Sequence, residues 1–195
     1  MRKLLLASVI LAFANLAHAQ QFDFAAGAGV LFSPKNPNAS IAFPPPADSG
    51  GIYPSISAQY LNEKRVGISV EGAFRYNEAL YNGFQHYRPV FYDVNAVYSP
   101  KLGRKLVADI MAGAGGETLI FYQGLGPCGA PSGCHAYVND THLLLHFGGG
   151  VRYYFRHNFF VRPEANYYFI HNNYEFYSDN VLRLGASIGY TWGSR

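Results

Sequence analysis

Apolar and polar residues alternate with a period of two over most of this chain, beginning with Phe22, Phe24, Ala26, Ala28, Val30 and Phe32 against Asp23, Ala25, Gly27 and Gly29. Successive side chains leave a pleated backbone on opposite faces, so each such stretch predicts a β-strand with one apolar face. The second stretch sets Ile52, Pro54, Ile56, Ala58 and Tyr60 against Tyr53, Ser55, Ser57 and Gln59. In the third, Val66, Ile68, Val70, Phe74 and Tyr76 alternate with Gly67, Ser69, Glu71, Ala73, Arg75 and Asn77. The fourth opposes Val90, Tyr92, Val94, Ala96 and Tyr98 to Asp93, Asn95 and Ser99. The fifth, residues 106–122, is less regular: Met111 shares the side of Asp109, and Gly115-Gly116 suggests a bulge. The sixth sets Leu143, Leu145, Phe147, Val151, Tyr153 and Phe155 against His142, His146, Gly148, Gly150, Arg152 and Arg156. The seventh opposes Phe159, Val161, Ala165, Tyr167 and Phe169 to Arg162, Glu164 and Asn166. In the eighth, Leu182, Leu184, Ala186, Ile188, Tyr190 and Trp192 alternate with Arg183, Gly185, Ser187, Gly189 and Thr191. Pro54 and Pro163 each remove a ladder donor, so a bulge or an irregular pair is expected at both.

The links between the strands alternate in length. Residues 62–65, 100–104 and 156–158 make short turns, whereas 34–50, 78–88, 123–140 and 171–179 make long loops. Short and long links in strict turn describe an up-and-down meander with one trimmed end and one elaborated end. The fold class expected is all-β, an eight-stranded antiparallel up-and-down transmembrane β-barrel.

The direction of the apolar face follows from volume. The apolar set carries dozens of large side chains, and the opposing set is rich in Gly, Ala and Ser with scattered charges. An eight-stranded barrel has an interior just wide enough for side chains to fill, so the large set is expected outside. An apolar band around a barrel suits lipid rather than water. Strands of about nine to eleven residues match a tilted crossing of the hydrocarbon layer. Aromatic girdles are expected at both interfaces. Phe22, Tyr60, Tyr98, Phe155, Phe159, Tyr190 and Trp192 stand toward the short turns, and Phe32, Tyr76, Tyr92, Tyr122, Tyr167 and Phe169 toward the loops.

The first residues add an address. Arg2 and Lys3, an apolar run from Leu4 to Leu16 and the Ala17-His18-Ala19 ending read as a secretory signal peptide over residues 1–19, leaving 20–195 as the barrel domain. Without Arg2 and Lys3 the 15 basic residues become 13 against 12 acidic ones, so the formal charge falls from +3 to about +1. The remaining bases are scattered, which argues against nucleic acid as a partner.

The mature chain resembles the small eight-stranded outer-membrane barrel proteins of bacteria, through its strand pattern and its closing "LRLGASIGYTW". The resemblance implies a barrel set in outer-membrane lipids and inserted by the barrel assembly machinery, which reads a terminal aromatic; a monomer is expected. Trp192 is the nearest match here, with Gly193-Ser194-Arg195 behind it. Some members of this group are lipid A deacylases with a His-x-Ser pair. His171-Asn172-Asn173 keeps the histidine and has asparagine where that serine would stand, and Glu175 and Ser178 follow at other spacings. Nucleophilic acyl transfer needs a hydroxyl or thiol beside the base, so no enzyme is expected.

The inward set offers Asp23, Glu71, Asp93, Asp109, Glu117 and Glu164 as acids and Arg75, Arg152, Arg162 and Arg183 as bases. Unpaired charge is costly in a low-dielectric interior, so a paired polar network across the lumen is expected; an ion path is the rival reading. Cys128 and Cys134, in an exported chain, suggest a disulfide closing the loop "GPCGAPSGC". A metal reading with His135 lacks further ligands. His142 and His146 lie about 13 Å apart along a strand, too far to share an ion. Gly113 to Gly116 and Gly148 to Gly150 lie within strands and read as room for large lumenal neighbours, not as a phosphate loop. No cofactor and no metal are expected. The functional expectation is a structural or surface-interaction barrel acting through its loops, with Phe84, His86, Tyr87 and the cysteine loop as contact points for an extracellular partner. A lipid A-modifying enzyme using His171 and a periplasmic lipid-binding barrel are the alternatives.

Overall fold

A computed structural model describes residues 21–34, 48–81, 85–122, 139–176 and 178–193. Nine strands run through them: β1 Gln21–Phe32, β2 Ile52–Leu61, β3 Val66–Phe74, β4 Ala79–Tyr81, β5 Gln85–Tyr98, β6 Leu106–Tyr122, β7 Asp140–Arg156, β8 Phe159–Ile170 and β9 Asn180–Trp192. Eight cross the barrel, each antiparallel to its neighbours, and the sheet closes where β1 pairs with β9 and β3 with β5. The ninth, β4, is a three-residue strand paired to the start of β5, Ala79 against Tyr87 and Tyr81 against Gln85. The stretch 78–88, expected as irregular loop, is thus largely a hairpin that prolongs the wall. Residues 1–19 and the cysteine loop with Cys128 and Cys134 lie outside the described residues, as does Phe84.

Alternation along the strands decides what faces out. In β1, Phe22, Phe24, Val30 and Phe32 are exposed while Gln21, Asp23, Ala25 and Leu31 are buried. The same partition runs around the cylinder: Ile56 on β2, Ile68 on β3, Val94 on β5, Ile110 on β6, Phe147 on β7, Val161 on β8 and Ile188 on β9 all point outward. The apolar faces therefore do not line the axis, which removes the geometry a soluble lipid carrier needs. At the short-turn rim, Tyr190 meets Trp192 at 4.7 Å and Phe159 at 4.9 Å between ring centroids, and Phe22 meets Trp192 at 5.8 Å.

The interior holds more bulk than the small-residue expectation allowed. Tyr53, Phe91, Tyr154, Phe160 and Tyr168 are enclosed, with Leu31, Leu61, Leu144, Ile170 and Val181. The glycines on the same face explain how they fit. A Cβ at Gly29 would stand 3.1 Å from the Arg183 side chain, and one at Gly150 would stand 2.8 Å from that of Arg162. A Cβ at Gly189 would run into the Phe160 ring. Small positions alternate with large ones, so mean volume understates how large any single lumenal residue can be.

Three local expectations are corrected. No bulge occurs at Gly115-Gly116: Asp93 pairs with Gly115 and Tyr92 with Gly116 in unbroken register. The outward Gly116 instead accommodates Tyr92, whose side chain a Cβ there would meet at 2.6 Å. The bulge lies between Tyr154 and Arg156, where the register with β8 shifts by one residue. That shift turns Arg156 to the exposed side, whereas strict alternation had put it inward. Pro54 keeps its place opposite Ala28 without a bulge. Pro163 keeps its register with Ala186 on β9 but interrupts the ladder toward β7, where pairing jumps from Gly150–Glu164 to Tyr153–Val161. A proline nitrogen has no hydrogen to donate, which accounts for the gap.

This outward belt makes a graded prediction. Ile188 sits in a transverse row with Ala26, Ile56 and Val161, four residues inside Trp192, while Phe22 pairs with Trp192 at the short-turn rim. In lipid vesicles Ile188→Arg is expected to lower unfolding stability by about 2–4 kcal/mol and Phe22→Arg by about 0–1 kcal/mol. Denaturant titration of the refolded variants reads the difference, and equal losses at both positions would contradict the assignment of this face to lipid.

Candidate functional site

The barrel's inward face is stacked in layers, and the layer toward the short turns is ionic. Arg152 of β7 reaches across the axis to Asp23 of β1, with Nη1 donating to Oδ2 at 2.5 Å. It also grips Asp109 of β6 with two donors, Nε at 2.5 Å and Nη2 at 2.7 Å. A planar guanidinium matches a carboxylate in this two-point way, which fixes orientation as well as charge. Thr191 donates to Asp23 at 2.6 Å, Ser99 donates to Asp109 at 2.6 Å, and Gln21 donates to both Asp23 oxygens. The Phe160 ring lies 5.2 Å from the Arg152 guanidinium.

Arg162 of β8 bridges to the next layer. Its Nε donates to Glu164 at 2.9 Å and to the Ser187 hydroxyl at 3.2 Å, and its Nη1 stands 3.6 Å from Asp109. Arg183 of β9 pairs with Glu71 of β3 across the lumen and stands 3.4 Å from Glu164. Farther along, the wholly enclosed His146 lies 2.7 Å from Asn95 through Nδ1 and 3.1 Å from Asn166 through Nε2. Asp93 pairs with Asn95 and approaches His146 at 3.3 Å. Tyr168 stacks on the imidazole at 4.9 Å.

Of the ten residues singled out for a lumenal network, these layers unite Asp23, Glu71, Asp93, Asp109, Arg152, Arg162, Glu164 and Arg183. Arg75 and Glu117 stand apart, toward the loops. There Glu117 is fully enclosed, and neither of its oxygens accepts from a nitrogen or hydroxyl donor among the described residues. Its neighbour is another carboxylate, that of Asp48, which also accepts from the Tyr53 hydroxyl at 3.3 Å. Burial pushes the Asp48 carboxyl up to about 6, against hydrogen bonds from the Glu117 carboxyl and the Tyr53 hydroxyl and the positive charge of Arg75. Asp48 lies within a proline-rich link with no period, so alternation gave no means of placing it.

Beside this acidic pair, toward the loop end, lies an aromatic cluster: Tyr81, Tyr87, Phe121 and Phe176 with Leu119. The Tyr81 ring meets Phe121 at 5.5 Å and Phe176 at 5.8 Å, and its hydroxyl donates to the Glu175 carbonyl at 2.8 Å. Tyr87, expected as a surface contact, is buried here, because β5 starts at Gln85 and puts Tyr87 on the inward side. His86 is exposed beside it, 3.2 Å from Glu78. His142 is also inward, 3.0 Å from Glu175. His171 is exposed in the β8–β9 turn, and among the described residues no serine hydroxyl is hydrogen-bonded to it. Ser178 lies beside Ser33, at 3.1 Å.

No protein-family model and no curated protein matches the chain. Solved structures do. The attachment invasion locus protein Ail of Yersinia pestis, crystallised with the heparin analogue sucrose octasulfate, superposes with a TM-score of 0.58 at 13% identity, covering 89% of this chain and 97% of Ail. Neisserial surface protein A gives 0.57 at 14% identity over 88% of this chain and 96% of its own. A major outer membrane protein from Thermus thermophilus gives 0.58 at 12% identity, covering 90% and 100%. The chain has the fold of the small eight-stranded outer-membrane β-barrels.

At such identities the likeness carries the architecture alone, and the energetics of the interior rest on this chain's own residues. Removing one member of a buried, hydrogen-bonded charge cluster leaves its partner uncompensated, which typically costs about 3–5 kcal/mol. Asp109→Ala is expected to lose stability in that range. Arg152→Met combined with Asp109→Leu is expected to lose clearly less than the sum of the two single changes. Denaturant midpoints of the parent, Arg152→Met, Asp109→Leu and the double variant measure the coupling, and strict additivity would show that the pair does not act as a unit.

Proposed function

We propose that this chain is a non-catalytic integral outer-membrane barrel with a filled lumen, exported through residues 1–19, whose structural or surface-interaction role is exercised by the loops at one end. The observation that carries this reading is the continuous outward belt of Phe, Ile, Leu and Val on a closed cylinder. Lipid is the solvent such a belt requires, and closure leaves no backbone edge unpaired where water is absent. Trp192, packed between Phe22 and Tyr190 at the final strand's end, is the aromatic that the assembly machinery would read.

A filled lumen is supported at two depths. The Arg152, Arg162 and Arg183 clusters bridge opposite walls, and the Tyr81–Tyr87–Phe121–Phe176 cluster closes the loop end. Interior charges held in mutual contact oppose an ion path. The non-catalytic reading is supported by the sequence around the exposed His171, where Asn173 stands in place of the serine that nucleophilic acyl transfer would use. The monomer, the cysteine-bridged loop and the extracellular partner belong to this same proposal.

Cell fractionation followed by protease treatment of intact cells tests it. The protein should be extracted from the envelope only by detergent and should migrate faster on gels before boiling than after. Added protease should cut in the long links 34–50 and 123–140 and spare the rest. Recovery in the soluble periplasmic fraction would overturn the reading. Lipid A acyl chains should be the same in cells with and without the protein; loss of an acyl chain that depends on His171 would replace it with the enzyme reading.

A further inference from the structure

The loop end of the barrel holds an unbalanced set of acids. Asp140 at the start of β7, His142 two residues on and Glu175 from the β8–β9 turn place one ligand atom each within 4.8 Å of one another. Asp48 and Glu117 lie on their inner side as a second carboxylate pair. Arg75 is near enough to act on Asp48, and His142 on Glu175, which leaves four carboxylates facing one guanidinium and one imidazole among the described residues.

Hydrogen bonding does not resolve this imbalance. His142 Nε2 and Glu175 Oε2 approach to 3.0 Å, yet neither atom makes a hydrogen bond among the described residues, and both are enclosed. Glu117 is the in-register neighbour of His142 across the β6–β7 ladder, with its side chain on the same inward face and 0% exposed. Its polar contact is with the Asp48 carboxyl, and neither of its oxygens accepts from a nitrogen or hydroxyl donor in the same set. Among the described residues, then, the site gathers carboxylates around one imidazole with too few donors to satisfy them.

We propose that Asp140, His142 and Glu175 bind a divalent transition-metal cation of the zinc class, with the enclosed Glu117 as the neighbouring carboxylate that adds negative charge. Metal–ligand bonds of about 2.0–2.2 Å in a tetrahedral shell put ligand atoms about 3.3–3.6 Å apart, between the 3.0 Å that separates His142 from Glu175 and the 4.8 Å that bounds the whole set. An imidazole donor favours zinc-like cations, whereas calcium takes six to eight oxygens and magnesium keeps an octahedral oxygen shell. Three protein donors leave one position for water. The cation would tie the β8–β9 turn to β7 across the mouth of the barrel. This site is independent of the outer-membrane assignment and of any partner of the loops, and it differs from the His142–His146 pair, whose second member is held by Asn95 and Asn166 deeper inside.

The test uses the full mature chain refolded in detergent, stripped of metal, with Cys128→Ser and Cys134→Ser so that thiols do not contribute. Titration with cobalt chloride and with zinc chloride, read by calorimetry and by the visible spectrum of bound cobalt, should show one saturable equivalent, with zinc displacing cobalt. Glu175→Gln, His142→Gln and Glu117→Gln should each weaken binding by about tenfold or more, while the exposed His171→Gln should leave it unchanged. Heat-modified gel mobility identifies variants that retain the barrel, and Glu175→Gln, in a turn outside the strands, decides the matter if a strand variant fails to fold. No saturable binding by the parent, or binding unchanged in Glu175→Gln, overturns the site. Calcium chloride binding as tightly as zinc overturns the assignment to the zinc class.

Discussion

Everything in this molecule follows from a hydrogen-bond constraint: where water is absent, each backbone amide and carbonyl must find its partner within the protein. A sheet satisfies that only by closing on itself, here through β1–β9 and β3–β5. Closure turns the two faces of every strand into an inside and an outside. The period of two then sorts side chains between them, so that Phe24, Ile56 and Ile188 share one environment and Asp23, Ser57 and Ser187 the other.

Inside, charge must not be left uncompensated. Long arginines reach carboxylates on other strands, and glycines make way for them. Arg183 lies over Gly29, and Arg162 lies over Gly150. Because Asp109 contacts both Arg152 and Arg162, and Glu164 contacts both Arg162 and Arg183, the charges form one chain from β1 to β3 around the lumen rather than isolated pairs. The loop end breaks this rule. There Glu117, Asp48, Asp140 and Glu175 outnumber the cations near them among the described residues, and tyrosines and phenylalanines replace arginines as the filling. The contrast separates a region whose charges are held in mutual contact from one where, among the described residues, carboxylates outnumber cations.

The barrel was legible in the sequence because alternation is a local property: Leu182 to Trp192 declares its apolar face without reference to any partner strand. The inward placement of Asp23, Asp109 and Arg152 could be read the same way, but not which of them meet. Register between strands distant in sequence decides that, as in the contact of Arg152 with Asp23, 129 residues apart. Tyr87 was misread as surface because the boundary of β5 lies among residues with no clear period. Asp48 and Glu175 were not placed because they arrive from irregular links, where side-chain direction is set by tertiary packing. Arg156 went astray for one residue's worth of bulge, since a single extra residue reverses every later side.

The sharpest test of the inside–outside partition uses tryptophan fluorescence, because Trp192 is the single tryptophan of the chain. In a Trp192→Phe background, Ile188→Trp places the reporter on the outward face and Phe160→Trp places it on the inward face of the neighbouring strand. Each protein is refolded into phosphatidylcholine vesicles carrying bromine on the acyl chains. Strong quenching at position 188 with little at position 160 is the expected result. Equal quenching at both positions, or stronger quenching at 160, would mean that the apolar residues do not ring the outside of a closed barrel.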